Sequence, residues 1–309
     1  KVHFSAFRPH FRGISGAKSP DFGKTTPYAC FEGGEVRFGR GAENNLRTPI
    51  YNVYRSNGTR FGVFSYFRRM NVISPLLVLH TTRFADDKLI ADCLSPTEGR
   101  VALVVRISHS PRAKVRHSLF QPLALLEAEW TARPRGGPVA AKSARVLVPL
   151  LSVHSHPIKT TIALFLAEVL LHIVRNDAAN EHLFAFAQSG LEWLDTAEGN
   201  FANFHIVFLM RLSLFLGITP NIEHTTLPYF DLMAGEFRAQ PPTHRYYIEG
   251  FESEAFAQLL RMNFGTMHLF ALSRGERRRI LFLILEYYRL HLTHFPELRS
   301  LEVMNEIFS

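Results

Sequence analysis

Lys88-Leu-Ile-Ala-Asp-Cys93 and Arg100-Val-Ala-Leu-Val-Val-Arg-Ile-Ser108 stand on either side of Ser95-Pro-Thr-Glu-Gly99, and this stretch decides how the first half of the chain is read. The first run alternates apolar and polar residues, and the second is rich in Val. The five residues between them favour a turn, so the stretch predicts two short strands. Working outward, Pro75–Thr82 is apolar and extended. After the polar, basic loop His109–Ser118, Pro122–Thr131 and Ala140–Leu150 read as a fourth and a fifth strand. Five short strands over residues 70–150 predict a five-stranded Greek-key barrel of the OB type, although the spacing alone also fits an SH3-like barrel. Trp130 and Phe120 are its large rings and are expected in its core.

Residues 151–309 change period. Pro157 opens a helix over 157–175, with Ile162, Phe165, Leu166, Val169, Leu170 and Ile173 at helical spacing. Further helices are predicted over 180–195, 200–217, 251–261, 273–292 and 297–307. The third is almost wholly apolar and is expected to be the buried centre. Gly217 and Pro220 stop it, and Ser273 with Glu276 forms a capping box for the fifth. Residues 219–250, with Pro228, Pro241 and Pro242, are expected to be irregular. The predicted fold class is therefore α+β multidomain, an OB-type barrel at 70–150 followed by an all-α domain at 151–309.

The 309 residues are 47% hydrophobic and 20% charged, an ordinary globular mix that excludes a wholly disordered or fibrous chain. The net charge of +8 is unevenly spread. Residues 1–69 carry 12 Lys or Arg against 4 Asp or Glu, a net of +8; residues 70–150 net +5; residues 151–309 net −5. A basic block favours polyanions such as nucleic acid, and an acidic one favours protein contacts. The apolar runs Thr160–Val174 and Phe204–Ile218 are interrupted by Glu168, His172, His205 and Arg211, so neither reads as membrane-spanning. Cys30 and Cys93 cannot make a disulfide framework, which implies an intracellular protein.

Residues 1–69 contain nine Gly and nine Phe but only one Leu, without a regular period. The chain begins with Lys1, and its first methionine is Met70. This segment is expected to be an unstructured basic extension, read first as an over-extended gene start with Met70 as initiator. A basic targeting or nucleic-acid-binding tail and a small folded domain are the alternatives.

Arg100, Arg106, Arg112, Lys114, Arg116, Arg133, Arg135, Lys142 and Arg145 are the candidate nucleic-acid contacts, and the loop Arg112–His117 is free of acids. Lys159, Arg175, Arg274, Arg277 and Arg278 are candidate cations for a protein partner. His154 with His156, and His224 with His244, are weak metal hints. Glu168 and His172, four apart on a helix, suit either a bland contact or a metal or base pair. No Walker, Gly-x-Ser-x-Gly or His-Glu-x-x-His motif is present.

Met70–Ser309 resembles the RecO family of bacterial recombination mediators. In the barrel the likeness rests on Leu77–His80, Gly99 and Ser118-Leu-Phe-Gln-Pro-Leu-Ala-Leu-Leu-Glu127. Beyond it lie Ile162-Ala-Leu-Phe-Leu-Ala-Glu168, Asn203-Phe-His-Ile-Val-Phe-Leu209, Gly217-Ile-Thr-Pro220, Tyr229-Phe-Asp-Leu232 and Gly235-Glu-Phe237. The last are Leu272-Ser-Arg274, Tyr287-Tyr-Arg-Leu-His291 and Ser300-Leu-Glu-Val303. The resemblance implies an OB fold that binds single- and double-stranded DNA, and no catalytic residues or cofactor. It implies a helical domain that docks partners, among them single-strand-binding protein through its acidic tail, and RecR in the RecA pathway. It also implies a cytoplasmic, nucleoid-associated protein. Some members carry a four-cysteine zinc site after the third helix. Residues 219–250 here contain no cysteine, so this chain resembles a zinc-free member in which Tyr229, Phe230, Leu232 and Phe237 form an apolar cluster instead. An RNA-binding OB protein and a metal-dependent enzyme using Glu168 and His172 are the competing expectations.

Overall fold

The computed structural model describes residues 50–56, 59–65, 71–108, 110, 115–132, 137–174 and 179–307. The chain divides into two compact units between Tyr66 and Phe67. In the first, β1 (Ile50–Ser56) pairs antiparallel with β2 (Thr59–Ser65), with Ser56 opposite Thr59. This hairpin is the described part of the segment expected to be an unstructured extension. The intervening dipeptide is Asn57-Gly58, which favours two-residue hairpins, and both flanks are rich in β-branched and aromatic residues. Residues 1–49 lie outside the described residues.

In the second unit β3 (Asn71–Ala85), β4 (Lys88–Ser95), β5 (Gly99–Arg106), β6 (Leu125–Thr131) and β7 (Val139–Val148) close a barrel in the order β3-β4-β5-β7-β6. All pairs are antiparallel except a short parallel contact, Leu103 with Val139 and Val104 with Ala140. Exchange of the last two strands gives the Greek-key, OB-type closure rather than an SH3-like one.

The run Pro75-Leu-Leu-Val-Leu79 has no polar alternation because both of its faces are buried. Leu76 and Val78 point into the barrel core with Leu103, Leu126 and Trp130. Leu77 and Leu79, with Leu94 and Leu125, belong instead to the core of the helical region. A period of two thus divides one strand between two cores, and joins barrel to helices through apolar contact. Cys93 is wholly buried, and burial raises its thiol pKa far above the usual range, so it stays an unreactive thiol.

The helical region runs α1 (Leu151–Ser155), α2 (Pro157–Ile173), α3 (Glu181–Thr196), α4 (Phe204–Phe215), α5 (Phe251–Leu259), α6 (Arg274–His291) and α7 (Ser300–Ile307). Pro157 takes the first position of α2, and Ser273 with Glu276 forms the capping box of α6. The α4 helix is buried on almost every side. Its His205 is pushed down to about 3 by burial and by neighbouring Arg277, so the imidazole is neutral. Gly217, at φ +69, ends it, and the Ile218 N–H returns to the Ser213 carbonyl at 3.1 Å.

Residues 219–250 are not irregular throughout. Tyr229–Asp231, Glu236–Arg238 and Tyr247–Glu249 form a three-stranded antiparallel sheet, β8, β9 and β10, in the order β10-β8-β9. Phe230, Leu232 and Phe237 are buried. The Phe230 ring lies 4.8 Å from Phe237, 5.3 Å from Phe256 and 6.2 Å from Tyr287. Tyr229 stays partly exposed and meets Tyr247 edge-on.

Candidate nucleic-acid interface

Along β5, Gly99, Val101, Leu103 and Val105 face inward, which turns Arg100, Ala102, Val104 and Arg106 to the outer wall. Register sets these four opposite Leu94, Asp92, Ile90 and Lys88 of β4. The outer wall of β4 and β5 therefore carries Ile90, Ala102, Val104 and the Asp92 carboxylate in its middle and cations at its ends. Arg100 donates through Nε (3.1 Å) and Nη2 (2.8 Å) to Asp92 Oδ1. Arg106 pairs with Asp87 at 3.2 Å, both well exposed. Lys88 stands directly across from Arg106. The exposed Arg106–Asp87 pair is worth about 0–1 kcal/mol, so a phosphate can replace that carboxylate at little cost, whereas Asp92 holds Arg100 in a partly buried pair.

Lys142 and Arg145 lie elsewhere, on β7. Lys142 Nζ donates to Asn71 Oδ1, and Arg145 Nη2 meets Glu127 Oε1 at 2.6 Å. Register sets Glu127 and Glu129 of β6 beside this pair of cations, which reduces the local positive charge. The strands thus distribute the basic residues over two parts of the wall instead of the one region read from sequence. Arg116 is exposed and precedes a single 3-10 turn at His117–Leu119. Arg112, Lys114, Arg133, Arg135 and Arg175 lie outside the described residues. Trp130 and Phe120 are buried in the barrel.

Sequence reading missed the far end of β3. It ended the strand at Thr82, whereas β3 continues to Ala85 and adds Arg83 and Phe84, both exposed, to the end of the β3–β4 hairpin. The available signal was the Asp86-Asp87 pair, which closes the hairpin and places Arg83 and Phe84 just before the turn.

Among the partner candidates, Lys159 is only 2% exposed. Its ammonium donates to Ser152 Oγ (2.7 Å), Asp195 O (3.0 Å) and Ala197 O (2.6 Å), with the Phe201 ring 5.2 Å away. It therefore ties α1 to the end of α3 instead of meeting solvent. Arg277 is half-buried, donating to Asn203 Oδ1 and to Leu272 O, each at 3.0 Å. Burial, with Arg274 nearby, lowers its pKa. Arg274 and Arg278 are exposed on the first turns of α6. Arg279 beside them bonds Glu252 at 2.6 Å and lies 5.8 Å over the ring of Phe282. Phe282 and Phe251 are each 44% exposed, so cations and rings share one surface.

The metal hints resolve into structural roles. His154 sets its two ring nitrogens against Leu150 O (2.8 Å) and Pro122 O (3.1 Å). His156 meets Phe201 edge-on at 5.6 Å. His224 sits at φ +56, and its carbonyl accepts from Leu227 N–H. His244 Nε2 lies 3.4 Å from Asp231, a carboxylate 1% exposed that also meets Arg238 Nε at 3.1 Å. Glu168 accepts from the backbone N–H groups of Arg299 and Ser300, a structural role in line with the bland reading of Glu168 and His172. Among the described residues no group of three or more His, Cys, Asp or Glu is placed to hold a metal. No described helix is long and apolar enough to cross a membrane.

Two family patterns match the chain: "Recombination protein O N terminal" over residues 70–147, and "Recombination protein O C terminal" over residues 154–302. The chain is similar to the DNA repair protein RecO of Bacteroides fragilis, 44% identical over 234 residues, which covers 75% of this chain and 97% of that protein. RecO of Phocaeicola vulgatus is 40% identical with the same coverage. RecO of Flavobacterium psychrophilum is 30% identical over 242 residues, 78% of this chain and all of that protein.

Proposed function

Since this chain belongs to the RecO family of bacterial DNA repair proteins, we propose that its barrel binds single- and double-stranded DNA and anneals complementary strands coated by single-strand-binding protein. The observation that carries this reading is the outer wall of β4 and β5, where Lys88, Arg100 and Arg106 surround a floor of Ile90, Ala102 and Val104. Two DNA strands repel each other through their phosphates. Cations held on a rigid wall neutralise some of that charge and release counterions, so binding is expected to weaken steeply with salt. Point charges read no base edges, so the reading implies little sequence preference. Arg112, Lys114, Arg116, Arg133 and Arg135 are further candidate contacts in this proposal, and Lys142 and Arg145 contribute from β7.

The helical region serves protein contacts in this reading. Arg274 and Arg278, beside the exposed rings of Phe282 and Phe251, suit an acidic and apolar peptide such as the tail of a single-strand-binding protein. RecR and the RecA-loading step complete the proposed context, in the cytoplasm at the nucleoid.

The test mixes two labelled complementary oligonucleotides, each coated with single-strand-binding protein, at low and moderate salt. The expected result is salt-sensitive acceleration that is lost when Arg112, Lys114 and Arg116 become Ala. No acceleration together with no DNA binding overturns the proposal. Preferential competition by an RNA oligomer redirects it to RNA.

A further inference from the structure

We infer that Phe84, on the arm formed by the ends of β3 and β4, is a stacking platform for one base of a single strand. This inference deepens the nucleic-acid reading above and rests on it. Phe84 is 65% exposed and belongs to neither apolar core. β3 is held by β6 only as far as Leu77, so from His80 onward its described pairing is with β4 alone. A register irregularity between Arg83 and Ala85 falls at Phe84 itself. The ring therefore stands on the rim of the wall, largely exposed and outside both cores.

Its surroundings define the ligand. Arg83 precedes it and donates to the Asp86 carbonyl at 3.4 Å. Ala85 pairs with Lys88, and Lys88 pairs with Arg106. At about 4.8 Å per strand spacing, Arg106 lies roughly 10 Å across the sheet from this rim. An exposed ring with three cations within two strands fits a flat, apolar-faced group tethered to repeated negative charge, which is a nucleotide chain. The turn carboxylates Asp86 and Asp87 leave one positive charge in excess at this rim, and Asp87 is held by Arg106 in an exposed pair that exchanges easily. Stacking uses the face of a base and leaves its hydrogen-bonding edge free. A strand held in this way can still find its complement, which is what annealing requires.

The experiment titrates the full chain, as wild type, Phe84→Ala and Phe84→Trp, against a labelled 20-residue thymidine oligomer and against an abasic oligomer of equal length. Stacking predicts that Phe84→Ala weakens thymidine binding about tenfold and leaves abasic binding unchanged. Phe84→Trp restores the affinity and adds indole emission that the thymidine oligomer quenches, measured against the wild-type background from Trp130 and Trp193. Wild-type affinity in Phe84→Ala, or an equal loss on both oligomers, overturns the stacking role while the nucleic-acid reading stands. Failure of the wild type to bind either oligomer at low salt overturns both.

Discussion

The Glu168 carboxylate closes the N-terminus of a helix that begins 132 residues later in the chain, accepting from Ser300 N at 2.8 Å and Arg299 N at 2.9 Å, with the Ser300 hydroxyl also donating to it. A helix start leaves N–H groups without intrahelical partners, and an acid there also meets the positive end of the helix dipole. Here the acid comes from the middle of α2, so α7 is held to α2 by a polar clamp as well as by apolar packing.

Replacing Glu168 by Ala is expected to cost about 1 kcal/mol, the usual value of a lost cap, and to loosen α7 first. Hydrogen exchange on residues 300–307 reads this directly. Burial opposes ionisation of Glu168, but the Ser300 and Arg299 hydrogen bonds, with His172 nearby, outweigh it and hold the carboxyl below its ordinary 4.5. A carboxyl depressed in the folded state contributes stability that is complete above the unfolded value and is lost as pH falls through the folded one. The clamp is therefore full at neutral pH and weakens below about pH 4.5. Urea midpoints for wild type and variant that stay equally far apart between pH 7 and pH 3 would refute this.

Gly235 leaves little room for a side chain. Its φ is +68, and a Cβ there would sit 2.9 Å from the Tyr287 hydroxyl, which itself donates to Ile218 O at 2.6 Å. The left-handed backbone alone costs about 1–2 kcal/mol for a residue with a Cβ, and the displaced tyrosine bond adds to it. Gly235→Ala is expected to lower Tm by several degrees, at about 2–4 °C per kcal/mol for a unit of this size. A Tm within one degree of wild type would mean that Tyr287 moves aside without loss.

Phe237 tests whether apolar packing organises β8–β10. It is buried against Phe230, and that ring in turn packs on Phe256 of α5 and Tyr287 of α6. Phe237→Ala is expected to destabilise by about 3–5 kcal/mol, with Phe237→Leu much milder. Unchanged thermal melting of the Ala variant would show that the sheet is held by other groups, Asp231 with Arg238 and His244 first among them.

Asp92 restrains the cation at one end of the proposed interface, because Arg100 donates through both Nε and Nη2 to Asp92 Oδ1. Asp92→Asn removes that charge while keeping the shape. Oligothymidine binding is expected to tighten, and its salt slope to steepen by about 0.7, the value of one added phosphate contact on a single strand. Arg100→Ala is expected to move both quantities the other way. An unchanged slope in both variants would exclude Arg100 from phosphate contact.

Lys159 and Glu168 show why part of the molecule was illegible in the chain. Lys159 read as a cation for a partner and Glu168 as an i,i+4 neighbour of His172, because a side chain's sequence neighbours say nothing of a carbonyl or an N–H group supplied from far along the chain. The oxygens around Lys159 come from Ser152, Asp195 and Ala197, and the donors to Glu168 from residues 299 and 300. Phe84 was missed for a different reason: a strand's end depends on its partner's reach, and β4 carries β3 beyond the point where alternation fades.

The amino-acid sequence by itself determined the five barrel strands, the helices with their caps, the buried α4 and the family, because each is written in local periodicity, in turn residues or in ordered short motifs. The tertiary structure alone decided which cations share a wall and which acids restrain them. It likewise decided that β3 serves two cores at once, and that the excursion after α4 folds as a sheet around Phe230. Those outcomes depend on strand register and on contacts between distant segments, where a shift of one residue exchanges the inner face for the outer.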